Sequence, residues 1–263
     1  MARVESEVAA SHAYDPRVRI DLNADVGESF GAWELGEDET LIPLVTSVNI
    51  ACGFHAGDPL TIGRTVATAV RAGAAIGAHP GYADLPGFGR REVDLPAAEI
   101  EALVLYQLGA LAGFVSAAGG ELRHVKPHGA LYNRSARDPA TAEAVARAVR
   151  GFSADLILVG LSGSASLAAA EGAGLKTAAE AFADRAYEPD GTLRSRRLEG
   201  AVLDDPEACA EQARRIVRER RPEADTLCIH GDRPGATARA AAVRRALEAD
   251  GAEIRALDVR RSA

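Results

Sequence analysis

Asp21, Asn23 and Asp25 alternate along the short apolar run Ile20-Asp21-Leu22-Asn23-Ala24-Asp25. In an extended strand every second side chain shares a face, so two carboxylates and an amide point the same way. Desolvating such a set is too costly unless it binds or reacts with something. His55 follows the run Val48-Asn49-Ile50-Ala51-Cys52, and His79 ends Ala75-Ile76-Gly77-Ala78, just before the turn Pro80-Gly81. Lys126 and His128 flank Pro127, Glu180 closes Lys176-Thr177-Ala178-Ala179 with Asp184 and Arg185 soon after, and His230-Gly231-Asp232 ends a seventh run. Imidazoles and carboxylates move protons at neutral pH, and an ammonium polarises a carbonyl or phosphoryl oxygen. Among the 30 basic residues only Lys126 and Lys176 are lysines. A chain so committed to arginine keeps Lys126 for its compact charge, which places it at a pocket rim beside the reacting oxygen. Lys176, which starts its run, reads as a structural ion pair.

Elements must bring these residues together. Seven apolar runs, the plainest being Leu156-Ile157-Leu158-Val159-Gly160, each stop at a polar cluster, and six of the seven endings carry His, Lys, Asp or Glu. Helical stretches lie between them. Pro59, Pro139 and Pro206 each follow an Asp that can cap a helix, and Gly73, Gly119, Gly172 and Gly251 can end one. Strand and helix in alternation imply parallel pairing with right-handed crossovers. The fold class is therefore α/β, a seven-stranded parallel β/α barrel, with an open doubly wound sheet as the alternative. In a barrel the chemistry gathers where the strands end. On that assignment Asp25, His55, His79, Lys126, Glu180 and His230 share one pocket. A last alternation, Glu253 to Val259, reads as an outer or closing strand.

Residues 1–17 carry Glu5, Glu7 and Asp15 and no apolar core, so they read as a flexible tail, leaving 18–263 as one domain. A net charge of -8 and no basic patch argue against nucleic acid. The uncharged stretch Ala102 to Ala118 contains Gln107 and is too short to span a membrane comfortably, so it reads as a helix buried against the sheet. Three cysteines without Cys-x-x-Cys spacing fit a reducing cytoplasm. Cys52, beside the pocket, stays open as a nucleophile. Gly160-Leu161-Ser162-Gly163-Ser164 lacks the lysine of a phosphate-binding loop and reads as an ordinary turn.

Several longer motifs resemble the LamB/YcsF family: Asp21-Leu22-Asn23-Ala24-Asp25-Val26-Gly27-Glu28-Ser29-Phe30-Gly31, Asn49 through Asp58, Gly77-Ala78-His79-Pro80-Gly81-Tyr82, Val125 through Asn133, Glu180 through Tyr187, and His230-Gly231-Asp232. The resemblance runs from about Val18 to the end. It implies a fold like the seven-stranded barrel of the glycoside hydrolase/deacetylase group. It also implies a hydrolase of a cyclic amide: the A component of an ATP-dependent enzyme that opens 5-oxo-L-proline to L-glutamate with subunits B and C. ATP, accompanied by a divalent cation such as Mg2+, is then a cofactor, held here or by a partner subunit.

Roles follow from the chemistry of lactam opening. Asp25 or His55 is the base for water, Lys126 the cation, and His79 or His128 the acid for the leaving nitrogen. Glu180 and His230 complete the catalytic set. Asp21, Asn23, Asn49, Asp184, Arg185 and Asp232 are substrate-binding candidates, with Arg185 as a carboxylate clamp or, alternatively, an ion pair tying down its loop. Two rival readings stay open. One is a self-sufficient metal-dependent deacetylase-like hydrolase with Asp25, His55 and His79 as ligands, and the other is a non-catalytic substrate-binding subunit.

Overall fold

The computed structural model describes residues 18–188, 191–196, 198–220 and 222–257. The tail assigned to residues 1–17 lies outside them, as does the end of the last alternation. Seven strands carry the fold: β1 (Arg19–Val26), β2 (Ser47–Ala51), β3 (Ala75–His79), β4 (Leu122–Val125), β5 (Ile157–Leu161), β6 (Lys176–Phe182) and β7 (Thr226–His230). All pairings are parallel, each strand beside the next in sequence, and β1 also pairs with β7. That last pairing closes the barrel. The closing alternation forms only an outer strand, β8 (Glu253–Ile254), which pairs with Arg19 and Ile20.

The helices are α1 (Asp38–Leu41), α2 (Pro59–Ala72), α3 (Ala97–Ala117), α4 (Gly129–Arg137), α5 (Pro139–Phe152), α6 (Ala165–Gly172), α7 (Pro206–Glu219) and α8 (Ala236–Ala249). Asp58, Asp138 and Asp205 cap α2, α5 and α7 through their side chains, with proline next in line each time. Those three starts are the expected ones. Helices α1 and α4 are additions to the expected set.

Alternation in β1 divides the molecule. Ile20, Leu22, Ala24 and Val26 face the helices and join the main apolar core with Val48, Ile50, Val66 and Leu108. Asp21, Asn23 and Asp25 face the barrel's interior, where they meet side chains from other strands. The interior is thus polar and hydrogen-bonded, while the core lies between barrel and helices. Gly77 makes room for this filling, since a Cβ there would stand 2.1 Å from His124 Nε2.

Helix α3 departs from expectation. Ile100, Val104, Gln107, Leu108, Leu111 and Val115 are buried, but Leu105 and Tyr106 are exposed on the opposite face. It is the one helix among the described residues long and apolar enough to cross a membrane. Only one face is covered by this chain.

Candidate active site at the strand ends

Of the six residues assigned to one pocket, Asp25, His55, His79, Lys126 and His230 lie at one end of the barrel. Glu180 sits deeper, two residues inside β6 and level with Asn23, and all six form a connected group. Lys126 Nζ is 2.9 Å from Asp25 Oδ1 and 2.7 Å from Glu180 Oε1. Asp25 Oδ2 is 3.4 Å from His79 Nε2 and 4.0 Å from His230 Nε2. His55 and His79 meet edge to face at 5.7 Å between ring centroids. Strand register explains the gathering, because Asp25 pairs with Asn49 on one side and His230 on the other, while Ala51 pairs with His79.

Lys126 is not at a rim. It is 2% exposed, and its ammonium also reaches Asn23 Oδ1 at 3.4 Å and Cys228 Sγ at 3.0 Å. Its donors are taken by buried partners, so the sequence-based picture of a free ammonium facing substrate gives way to a buried counter-ion. Burial opposes that charge, but Asp25, Cys228 and Glu180 outweigh it and hold the lysine well above its ordinary pKa. Burial likewise opposes ionisation of Asp25, yet His79 and Lys126 hold its carboxyl well below the usual range. Asp25 is therefore an anion, and a weak base.

His230 is positioned differently. Its Nδ1 lies 2.9 Å from Asp184 Oδ1, and its backbone N–H donates to Asp184 Oδ2 at 2.9 Å. Phe182 stacks on the ring at 5.4 Å. The bond to Asp184 places the proton on Nδ1, leaving Nε2 as an acceptor toward Asp25 and the barrel mouth. Asp184 thus orients His230 rather than binding substrate. Burial alone would raise the Asp184 pKa, but His230 overcomes it and lowers the value to about 2.

That shift fixes an acid sensitivity. A carboxyl at about 2 folded against 3.8 as the reference value stabilises the fold above pH 3.8, and the contribution is lost as pH falls toward 2. The loss should be on the order of 2 kcal/mol at about 1.36 kcal/mol per unit. Acid titration of chemical stability should show it, and Asp184→Asn should flatten that part of the curve. An unchanged slope would remove the Asp184–His230 pair from the stability of the fold.

The other substrate-binding candidates separate. Asp21 lies deep in the barrel and accepts from the hydroxyls of Thr46, Ser47 and Thr226, so its oxygens are already satisfied. Asn23 donates to Glu180 and Thr226, and Asn49 donates to Asn23 and Asp25. Both amides brace the carboxylates. Arg185 donates to the carbonyls of Ala201 and Arg194, the loop-tying alternative rather than a substrate clamp. Asp232 pairs with Arg90 at 2.7 Å. Arg90, whose side chain is 35% exposed, is a cation that reaches the mouth.

Sequence reasoning passed over several residues. His124 turns into the barrel and meets Asn49 Oδ1 at 2.9 Å, and burial followed by Lys126 lowers its pKa to about 3. Glu28, just beyond β1 and 4% exposed, lies 3.5 Å from His55 Nε2 and 3.4 Å from His128 Nδ1. Burial, then repulsion from Asp232 and Asp25, lifts the Glu28 carboxyl well above its usual range. Burial also depresses His55 and His128 well below theirs. The signal for Glu28 is its place three residues after Asp25, past a glycine turn. Cys52 is no nucleophile: burial pushes its thiol up to about 12, and Sγ–H donates to the Ile50 carbonyl.

The LamB/YcsF family profile matches residues 20–262. This chain belongs to the LamB/YcsF family. It is 56% identical over 246 residues to the 5-oxoprolinase A subunit of Chloroflexus aggregans, covering 90% of this chain and 98% of that protein. A protein of the same name from Methylococcus capsulatus is 55% identical, with 90% and 95% covered. The crystal structure of a lactam utilization protein from Thermus thermophilus superposes with a TM-score of 0.86 at 48% identity, covering 91% of this chain and all of that one. The catalytic domain of a peptidoglycan N-acetylglucosamine deacetylase from Eubacterium rectale shares the fold at a TM-score of 0.53 and 10% identity, with 95% and 94% covered. The LamB/YcsF barrel is thus closed, seven-stranded and deacetylase-like in architecture.

Proposed function

We propose that this chain is the A component of an ATP-dependent 5-oxoprolinase, a cytoplasmic enzyme that opens 5-oxo-L-proline to L-glutamate together with subunits B and C. The observation that carries the reading is the likeness to proteins of that name over nearly their whole length. The geometry supplies suitable parts. An unstrained lactam resists water, and coupling to ATP, with Mg2+ as its counter-ion, makes the ring carbon electrophilic. Water then needs a base, the developing oxyanion needs cations, and the ring nitrogen needs a proton as it leaves.

His230 is the base best placed for this, oriented by Asp184 and with Nε2 toward the mouth. Asp25, kept ionised by Lys126, faces that nitrogen and stabilises the imidazolium formed when water is deprotonated. Arg90 offers its guanidinium to the substrate's carboxylate or to the oxygen that gains charge. No glycine-rich nucleotide loop occurs in the chain, so ATP is assigned to a partner subunit or to a shared surface.

The reading is tested by 5-oxoproline-dependent ATP hydrolysis. The purified chain alone should release little or no glutamate, and adding B and C should restore turnover. Robust ATP-coupled glutamate release by the single chain would refute the division of labour, and no release by the full set would refute the substrate.

A further inference from the structure

Two histidines at the strand ends aim acceptor atoms at each other. His79 Nδ1 lies 2.7 Å from the Lys126 carbonyl, and His128 Nε2 lies 2.8 Å from the Phe88 carbonyl. A carbonyl oxygen only accepts, so those two nitrogens carry the protons. With both rings neutral the lone pairs fall on His79 Nε2 and His128 Nδ1, which face each other at 3.1 Å.

More electron-pair donors crowd the same spot. Glu28 Oε1 is 3.4 Å from His128 Nδ1 and 3.5 Å from His55 Nε2, and Asp25 Oδ2 is 3.4 Å from His79 Nε2. Neither ring nitrogen of His55, a residue 0% exposed, has a hydrogen-bond partner, and neither does Glu28 Oε1. Orphaned buried polar atoms are costly, and several together call for a common ligand. One proton between His79 and His128 serves that pair alone and leaves Glu28 and His55 unsatisfied.

The spacing identifies the ligand's class. Four donors around a tetrahedral ion at about 2.0–2.1 Å stand roughly 3.3–3.4 Å from one another. Here His55, Glu28, His128, His79 and Asp25 follow one another at contacts of 3.1 to 3.5 Å, most of them longer than good hydrogen bonds. The ligand atoms of Glu28, His55 and His128 all lie within 4.8 Å of one another, with His79 joined through His128. Imidazole nitrogens with a carboxylate suit first-row transition metals, zinc above all. Ligand histidines typically give their second N–H to a carbonyl or carboxylate, as His79 and His128 do.

We propose that Glu28, His55, His79 and His128 hold a divalent transition-metal ion, with Asp25 at its edge. The set differs from the sequence-based trio Asp25, His55 and His79 by gaining Glu28 and His128 and moving Asp25 outward. His55 lies flat against His128, 3.8 Å between centroids, and is the donor that must turn to complete the shell. A bound ion would polarise a carbonyl oxygen or lower the pKa of a water at this end of the barrel.

The site stands on its own geometry and does not rest on the oxoprolinase reading, so it is tested without substrate. The full chain, stripped with a chelator, is titrated with ZnCl2 by calorimetry, and with CoCl2 by visible absorption. One equivalent of zinc should bind and raise the Tm, and cobalt should give the intense bands of a tetrahedral site. Glu28→Gln and His128→Ala should each weaken zinc binding by more than about a hundredfold, beyond the loss typical of outer partners. Cys228→Ser, which disrupts the alternative cluster Asp25, Cys228 and His230, should leave it unchanged. Should His128→Ala fail to fold, the near-isosteric Glu28→Gln decides. No stoichiometric zinc or cobalt in the parent chain, binding unaffected by Glu28→Gln, or binding lost with Cys228→Ser overturns the proposal. In the first case a proton shared by His79 and His128 is the answer.

Discussion

Lys126→Met should lower the stability of the fold by about 3–5 kcal/mol, the usual cost of leaving buried charge without its partner. Lys126 stands between Asp25 and Glu180, each at most 4% exposed, with its ammonium within hydrogen-bond reach of both. Methionine has nearly the same volume and tolerates the apolar side of the site, including the Phe182 ring 5.4 Å from the ammonium. Packing is therefore nearly conserved, and the loss measures charge. The two carboxylates then repel across the barrel with Asn23 and Asn49 as their remaining donors. Urea unfolding of parent and variant should show the difference directly. For a domain of this size each kcal/mol shifts Tm by roughly 2–4 °C, so melting should fall by ten degrees or so. A loss below about 1 kcal/mol, within the range of a solvated pair, would mean that the carboxylates do not depend on Lys126. Lys126→Arg is the milder test. It keeps the charge but forces a larger planar group into a space shaped for an ammonium, so it should destabilise as well as inactivate.

This differs from what the sequence suggests, and the reason is geometric. The scarcity of lysine marks Lys126 correctly as special, but residue type and spacing say nothing about depth. Whether a side chain just past a strand faces outward or down the barrel depends on tilt and on the neighbouring strands' register. The same limit hides His124, whose inward turn needs the missing side chain of Gly77 on the adjoining strand. It also hides Glu28, which a loop folds back over His55 and His128. Arg185 and Asp184 sit side by side in sequence yet do separate jobs, one tying the loop and one orienting His230. Their division is set by where residues 194 and 201 return, some distance along the chain.

The fold itself is more legible. Each strand is an apolar run of ordinary length, and β1 states its two faces in its alternation. Three helix starts carry an Asp-Pro signal that acts locally, through side-chain oxygens meeting backbone N–H groups of the first turn. Helix α4 has no such signal. It begins at Gly129, directly after His128, with no side-chain cap, and its nine residues are held by the burial of Ala130, Leu131, Tyr132 and Ser135. Tertiary packing makes that helix, so no local pattern announces it.

His230→Gln should slow the reconstituted complex by about 10²–10⁴-fold, the range a positioned general base contributes. The case rests on the ring's two nitrogens having different tasks. Nδ1 is committed to Asp184, which fixes both tautomer and orientation, while Nε2 faces the ionised Asp25 at 4.0 Å. Among the catalytic candidates His230 keeps the most exposed side chain, 12% against 6% for Asp25 and 5% for His128, so it can meet water and substrate. Glutamine keeps a polar group at the reach of Nε2, and it cannot accept and then release a proton at neutral pH. The effect should fall on kcat with little change in KM, since no binding contact is being removed. Asp184→Asn should give a loss of the same kind by releasing the ring. The double variant should be scarcely worse than the slower single one, because residues that act as a unit are not additive. Turnover of the complex and unfolding of the isolated chain should be measured together for all three. Turnover within tenfold of the parent, with the fold intact, would place the base elsewhere. A double variant whose losses multiply would show that Asp184 acts on something other than His230.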